Sequence, residues 1–188
     1  MKAANRQSVA LRRATRKQWV LKPQDLAVAL KFALSPGQNF SYAELAEAMR
    51  LSPYEAHAAV QRLGAARLMV EGRQGLQVAR SALLDFLLHG ARFAYPPVVG
   101  EVTIGVPTAS AAAPLSDFFD SGGDLPSIWP HSKGDVRGTT LLPLYPKLPE
   151  AALADPPFYE LLALFDAIRV GQARERKMAA DLIAERLQ

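Results

Sequence analysis

Along this chain, apolar residues recur at three- and four-residue spacing in short windows, and turn residues separate the windows. The first window opens at Pro23, where Leu26, Ala29, Leu30 and Ala33 fall on one stripe; this predicts a helix over Pro23–Leu34. Pro23 suits the first helical position, and Asp25 complements the positive end of the helix dipole. Ser35–Asn39 is a turn, with Phe40 as a staple residue ahead of the next helix. Ser41 and Glu44 form a capping box, in which hydroxyl and carboxylate each take one orphan backbone N–H. Leu45, Ala46 and Met49 carry the stripe as far as Arg50–Leu51, because Pro53 disfavours the helical conformation at Ser52. Ser52 is itself an N-cap, with Pro53 after it and Glu55 closing a second box. From Pro53 to about Ala66, Ala56, Ala59 or Val60, and Leu63 face inward, which turns Tyr54, His57, Ala58, Gln61 and Arg62 outward. Two capped helices joined by so short a turn make a helix-turn-helix.

Leu68–Val70 and Leu76–Val78 flank the polar tip Glu71–Gly75, a short hairpin whose Gly72 and Gly75 can take the positive φ of a tight turn. Ser81–His89 is apolar on more than one face before Gly90 stops it. Such a helix must be buried on two sides, against the preceding module and against either the C-terminal helices or another subunit. From Tyr95 to Pro157 the helical period vanishes. That stretch holds eleven of the fourteen prolines and six of the twelve glycines, and only Glu101–Val106 and Leu141–Tyr145 resemble strands. It is therefore predicted as a long wrap without helices. Phe118, Phe119, Ile128, Trp129, Leu144 and Tyr145 favour order over disorder there. Asp155–Pro157 opens a last pair of helices, Phe158–Val170 and Gln172–Leu187, parted by Gly171, with Lys177 and Asp181 placed to pair.

The run LSPYEAHAAVQRLGAARLMV resembles the recognition helix and first wing strand of bacterial winged helix-turn-helix regulators of the MarR kind. Their pattern is roughly LS-x-x-x-V-x-x-x-V-x-x-L-x-x-x-x-L-V, and the match spans about Gln24–Val78. The resemblance implies a winged helix-turn-helix over that stretch. With the proline-rich extension and C-terminal helical pair read from the pattern, the expected fold is mainly α with a small β wing. The expected organisation is a basic arm (1–22), a DNA-binding module (23–90), a wrapping segment (91–155) and C-terminal helices that dimerise (156–188).

Charge sharpens that expectation. The net charge is +4, yet Met1–Lys22 alone holds seven bases and no acid, leaving fifteen bases against eighteen acids in the remainder. The positive charge is an arm on a near-neutral body, a footprint of nucleic-acid binding. Arg12, Arg13, Arg16 and Lys17 would hold phosphates or enter a minor groove beside the docked helix. With no cysteine there is no disulfide framework, thiol nucleophile or thiolate metal site, which fits a cytoplasmic protein. No apolar run is long enough to span a bilayer, and no apolar core follows the basic N-terminus as in a secretory signal. An arginine-rich presequence is the rival reading of the first twenty residues.

Catalytic signatures are missing: no P-loop, no G-x-G-x-x-G, no G-x-S-x-G and no H-E-x-x-H. His57, His89 and His131 lie far apart, and the acids and glycines around Ser116–Asp124 are turn chemistry. No enzyme activity, metal or cofactor is expected. The expected partner is double-stranded DNA, bound by a homodimeric, sequence-specific transcriptional regulator, a repressor in its simplest form. Ser52, Pro53 and the first-turn N–H groups would hold a phosphate. Tyr54, His57, Ala58, Gln61 and Arg62 would face base edges, and Arg73 and Gln74 at the wing tip the adjacent backbone or minor groove. Trp129 and Tyr145 are candidates to line an effector pocket. Two other classes remain open: an antitoxin-like protein-interaction partner that autoregulates its operon, and a winged-helix scaffold or RNA-binding module.

Overall fold

A computed structural model describes residues 19–72, 75–119 and 123–187. Arg12, Arg13, Arg16 and Lys17 of the arm, and Arg73 and Gln74 of the hairpin tip, lie outside the described residues. The N-terminal half follows its local signals closely. Helix α1 spans Pro23–Ala33, α2 Tyr42–Met49 and α3 Pro53–Ala65. Both capping boxes form: Ser41 N donates to Glu44 Oε2 at 2.8 Å and Glu44 N to Ser41 Oγ at 3.2 Å. Arg50 closes α2 in the left-handed region at φ 54°. Strands β1 (Met69–Gly72) and β2 (Gly75–Val78) pair antiparallel from Met69↔Val78 to Gly72↔Gly75. Of the two tip glycines only Gly75 takes a positive φ, 104°.

Helix α4 (Arg80–His89) buries Leu83 and Leu87 fully, and Leu84, Phe86 and Leu88 in part. Of its two anticipated partners, the C-terminal one is present: α4 packs on α8 (Ala173–Leu187). The hub is α7 (Pro156–Val170), whose Phe158 and every residue from Leu161 to Ile168 are buried. It contacts α1, α8 and the short α6 (Leu148–Leu153). The apolar faces anticipated for a second subunit, on Ser81–His89 and the C-terminal pair, are thus largely covered within one chain. Lys177 and Asp181 do pair, at 3.1 Å, but both side chains are exposed, so the pair adds little to stability.

Residues 95–157 depart most from expectation. The described residues of this region pack onto the body, with Ile128, Trp129 and Tyr145 buried, and they include a helix and more strand than the pattern suggested. After the one-turn α5 (Ala91–Ala94) come β3 (Val99–Pro107), β4 (Ser127–Pro130), β5 (Val136–Leu141) and α6. Only Leu141 of the anticipated Leu141–Tyr145 strand belongs to one. β3 is antiparallel to β4 over Gly105–Pro107 and to β5 over Val99–Gly105, while Ser127 and Ile128 of β4 pair parallel with Thr139 and Thr140 of β5. The three strands therefore close on one another. The described residues form a mixed α/β protein with eight α-helices, one two-stranded hairpin and one three-stranded sheet. That replaces the expectation of a mainly α fold whose only β-structure is a wing.

So tight a closure needs a residue without Cβ at its crossing point. A Cβ on Gly105 would lie 2.0 Å from the Trp129 carbonyl oxygen, a backbone atom that cannot swing aside. Gly105→Ala should therefore cost about 1–3 kcal/mol of stability through overpacking. Urea denaturation reads this directly, and an alanine variant as stable as the parent would contradict the closure.

One buried carboxylate ties the sheet to the hub. Asp166 of α7 accepts from Thr108 Oγ1 at 2.8 Å, Trp129 Nε1 at 2.7 Å and Arg169 Nη1 at 2.8 Å. Arg169 also donates to the carbonyls of Tyr95 at 3.1 Å and Pro96 at 3.2 Å, pinning the α5–β3 connection. Burial pushes the Asp166 carboxyl up, against the opposing pull of Arg169, Thr108 and Trp129. Among the described residues no helix is long and apolar enough to cross a membrane.

Candidate nucleic-acid interface

The opening of α3 is shaped by its cap. Ser52 N donates to Glu55 Oε2 at 2.8 Å, Glu55 N to Ser52 Oγ at 3.2 Å, and the Ser52 hydroxyl to Glu55 Oε2 at 2.7 Å. These bonds hold the Glu55 carboxyl below its usual range, with Lys147 and Lys22 adding a weaker pull. The Ser52 hydroxyl, expected at a phosphate, is thus already engaged, and a carboxylate stands beside the helix N-terminus. In the first turn Pro53 has no backbone donor and that of Glu55 is taken by Ser52 Oγ, which leaves Tyr54 N–H as an orphan donor of the helix start.

Only part of the anticipated reading face is open. Ser52, Pro53 and Tyr54 are exposed, Tyr54 to 80 %. His57 and Ala58 are half-buried, the His57 ring standing edge-on to Tyr42 with centroids 4.8 Å apart. Gln61 and Arg62 do not face outward: each is only 8 % exposed. Arg62 grips the fully buried Asp25 of α1 with two bonds of 2.6 Å, Nε to Oδ2 and Nη2 to Oδ1, and Asp25 also accepts from Lys22 N at 2.8 Å. The reason is tertiary. α1 packs along the flank of α3 and widens its buried stripe by two positions, and Asp25, read as a dipole partner, needs a buried counter-charge.

The turn between α2 and α3 meets the segment ahead of α6. Tyr145 Oη donates to the Met49 carbonyl at 2.7 Å, and burial pushes that hydroxyl's pKa up. Between these parts lies a cleft of about 650 Å³, lined among others by Gln24, Arg50, Ser52, Glu55, Tyr145 and Lys147. Arg50 and Lys147 line this cleft together with Glu47, Glu55 and Glu150, and Lys22 acts on Glu55 from the segment ahead of α1. Lys147 carried no sequence signal as a site residue, and Arg50 stood out only as the end of a helix. Trp129 and Tyr145 do not line one pocket. Trp129 is 1 % exposed, bonded to Asp166 and packed on Tyr159, and takes no part in the cleft. Among the described residues no group of three or more His, Asp or Glu is placed to hold a metal ion.

No protein-family model, curated protein or solved structure matches the chain.

Proposed function

We propose that this chain is a winged helix-turn-helix regulator that binds double-stranded DNA as a homodimer. The observation that carries the reading is the succession of two boxed helices and a hairpin with the first turn of the second helix left open at Ser52–Tyr54. In such modules the N-terminal residues of the second helix meet base edges in the major groove. Tyr54 supplies a large exposed ring, His57 a donor at its edge, and Ala58 a small surface suited to a thymine methyl. Gln61 and Arg62 have left the reading set, so discrimination by the body rests on few side chains. Lys22, Arg50 and Lys147 flank the turn, where a phosphate backbone would pass.

Most non-specific affinity then comes from Arg12, Arg13, Arg16 and Lys17 of the arm, with Arg73 and Gln74 at the hairpin tip beside the adjacent backbone. Removing residues 1–18 should weaken binding and flatten its salt dependence by about 0.9 in log–log slope for each phosphate that the arm neutralises. Site preference should stay unchanged. Fluorescence anisotropy across a salt series tests this, and an unchanged slope in the truncated protein rules out the arm's role.

A second reading, an antitoxin-like partner that covers another protein, draws support from the exposed apolar residues along β3. Co-purification of a partner from the native source, with no duplex shifted, would favour it.

A further inference from the structure

We infer that two copies of this chain associate by laying β3 antiparallel against β3, edge to edge across a two-fold axis. The inference deepens the homodimer of the proposed function and does not depend on the DNA ligand. β3 pairs along one side with β5 over Val99–Gly105, but along its other side with β4 only over Gly105–Pro107. Among the described residues the second edge of Val99–Ile104 has no strand beside it. All six of those residues are exposed. Such an edge presents a row of backbone donors and acceptors to any incoming strand.

The side chains around that edge are apolar. Val98, Val99, Val102, Ile104 and Leu142 are 54 %, 60 %, 42 %, 57 % and 46 % exposed. Leu142 stands on the side paired with β5, where its N–H donates to the Val98 carbonyl at 2.9 Å. The valines and Ile104 together form an apolar patch of the size that the largest patch of a monomer reaches, on the order of 300–600 Å². Two such patches brought together, with the backbone between them, are of the order of the smaller, reversible protein interfaces, below about 1,200 Å². Neither lysine nor proline occurs between 99 and 104. Glu101 and the register shift between Val99 and Val102 blunt the start of the strand, which leaves Val102–Ile104 as the regular stretch of open edge.

Charge selects the occupant. Glu101 is the one charged residue on the strand and Arg137 an exposed base on neighbouring β5, so the patch is balanced. A polyanion finds no field there, whereas a second copy meets no net repulsion. An antiparallel strand pair is also self-complementary, as a two-fold contact between identical surfaces must be. The result is a continuous sheet ordered β5–β3–β3–β5 through both copies.

Sedimentation equilibrium of the full chain at tens of micromolar should show a dimer. The double variant Val102→Lys/Ile104→Lys should be monomeric. Because both side chains are exposed in the single chain, its melting temperature should equal the parent's at concentrations where the parent is itself dissociated, and should no longer rise with protein concentration. Leu153→Lys, equally exposed but on α6, should leave the dimer intact. A monomeric parent, a dimer that survives the double variant, or equal dissociation by Leu153→Lys would each overturn the inference. Should the double variant fail to fold, hydrogen exchange of the parent decides. Protection of the Val99–Ile104 amides must rise with protein concentration, and protection independent of concentration sinks the proposal. If the monomeric variant still binds an isolated half-site, the DNA reading stands or falls separately.

Discussion

Arg62→Ala should destabilise the protein by about 3–5 kcal/mol, because it strands a carboxylate that no water reaches. Asp25 is 0 % exposed and takes both of its short side-chain contacts from the Arg62 guanidinium. Against a typical total stability of about 5–15 kcal/mol, the loss removes much of the margin. The comparison with the double variant Asp25→Leu/Arg62→Met separates charge from fit. Once both charges are gone the desolvation penalty goes with them, and most of the loss should be recovered. Urea denaturation of the four members of the cycle gives the coupling directly. An alanine variant within 1 kcal/mol of the parent, roughly the worth of an exposed pair, would return Arg62 to the surface and to the set of base-reading candidates.

Arg169→Ala should cost a similar amount, about 3–5 kcal/mol at neutral pH, and its cost should depend on pH. Asp166 and Arg169 are both almost fully buried, and the arginine also satisfies the Tyr95 and Pro96 carbonyls. Burial already holds the Asp166 carboxyl above its usual range, so the folded chain binds that proton more tightly than the unfolded chain. The group's contribution is fully present below the ordinary carboxylate range and is lost as pH rises through the raised value. Removing Arg169 takes away a charge that pulls the value down, so it rises further. The deficit of the variant relative to the parent should therefore be widest near neutrality and narrow as pH falls toward about 4. A deficit that stays constant with pH would mean that the two unsatisfied carbonyls, not the carboxylate, carry the effect.

The contrast between Ser52 and Arg62, ten residues apart on one helix, shows what the chain discloses locally. A capping box is closed by residues three apart and needs nothing else, so both boxes and the bounds of α1, α2 and α3 are legible within a residue or two. Whether Arg62 looks out or in is decided by α1 and by a carboxylate thirty-seven positions away. Periodicity on α3 alone places Gln61 and Arg62 beside the apolar stripe and stops there. The same limit hides β5. Its VRGTTL run is interrupted by Gly138, which marks a weak strand in isolation. In the fold that glycine is required, since a Cβ would sit 2.2 Å from the Pro126 carbonyl oxygen. α6 escapes a reading by pattern because Pro149 stands within its six residues, although proline in a first turn is compatible with a helix. Of the candidate interface, Ser52–Tyr54 is readable from the caps, whereas Lys147 comes beside α3 through tertiary packing, the contact of α6 with α2 and the Tyr145 hydroxyl bond to Met49.

The central claim is that the open first turn of α3 reads a duplex, and selection of bound duplexes from a random pool by the purified full chain tests it most directly. The predicted result is enrichment of a site with two related halves about one helical turn apart. Enrichment should disappear in the doubly substituted Tyr54→Ala/His57→Ala protein while its melting temperature holds. A pool that shows no enrichment, or one whose enriched site is unchanged by removing both side chains, would contradict the account.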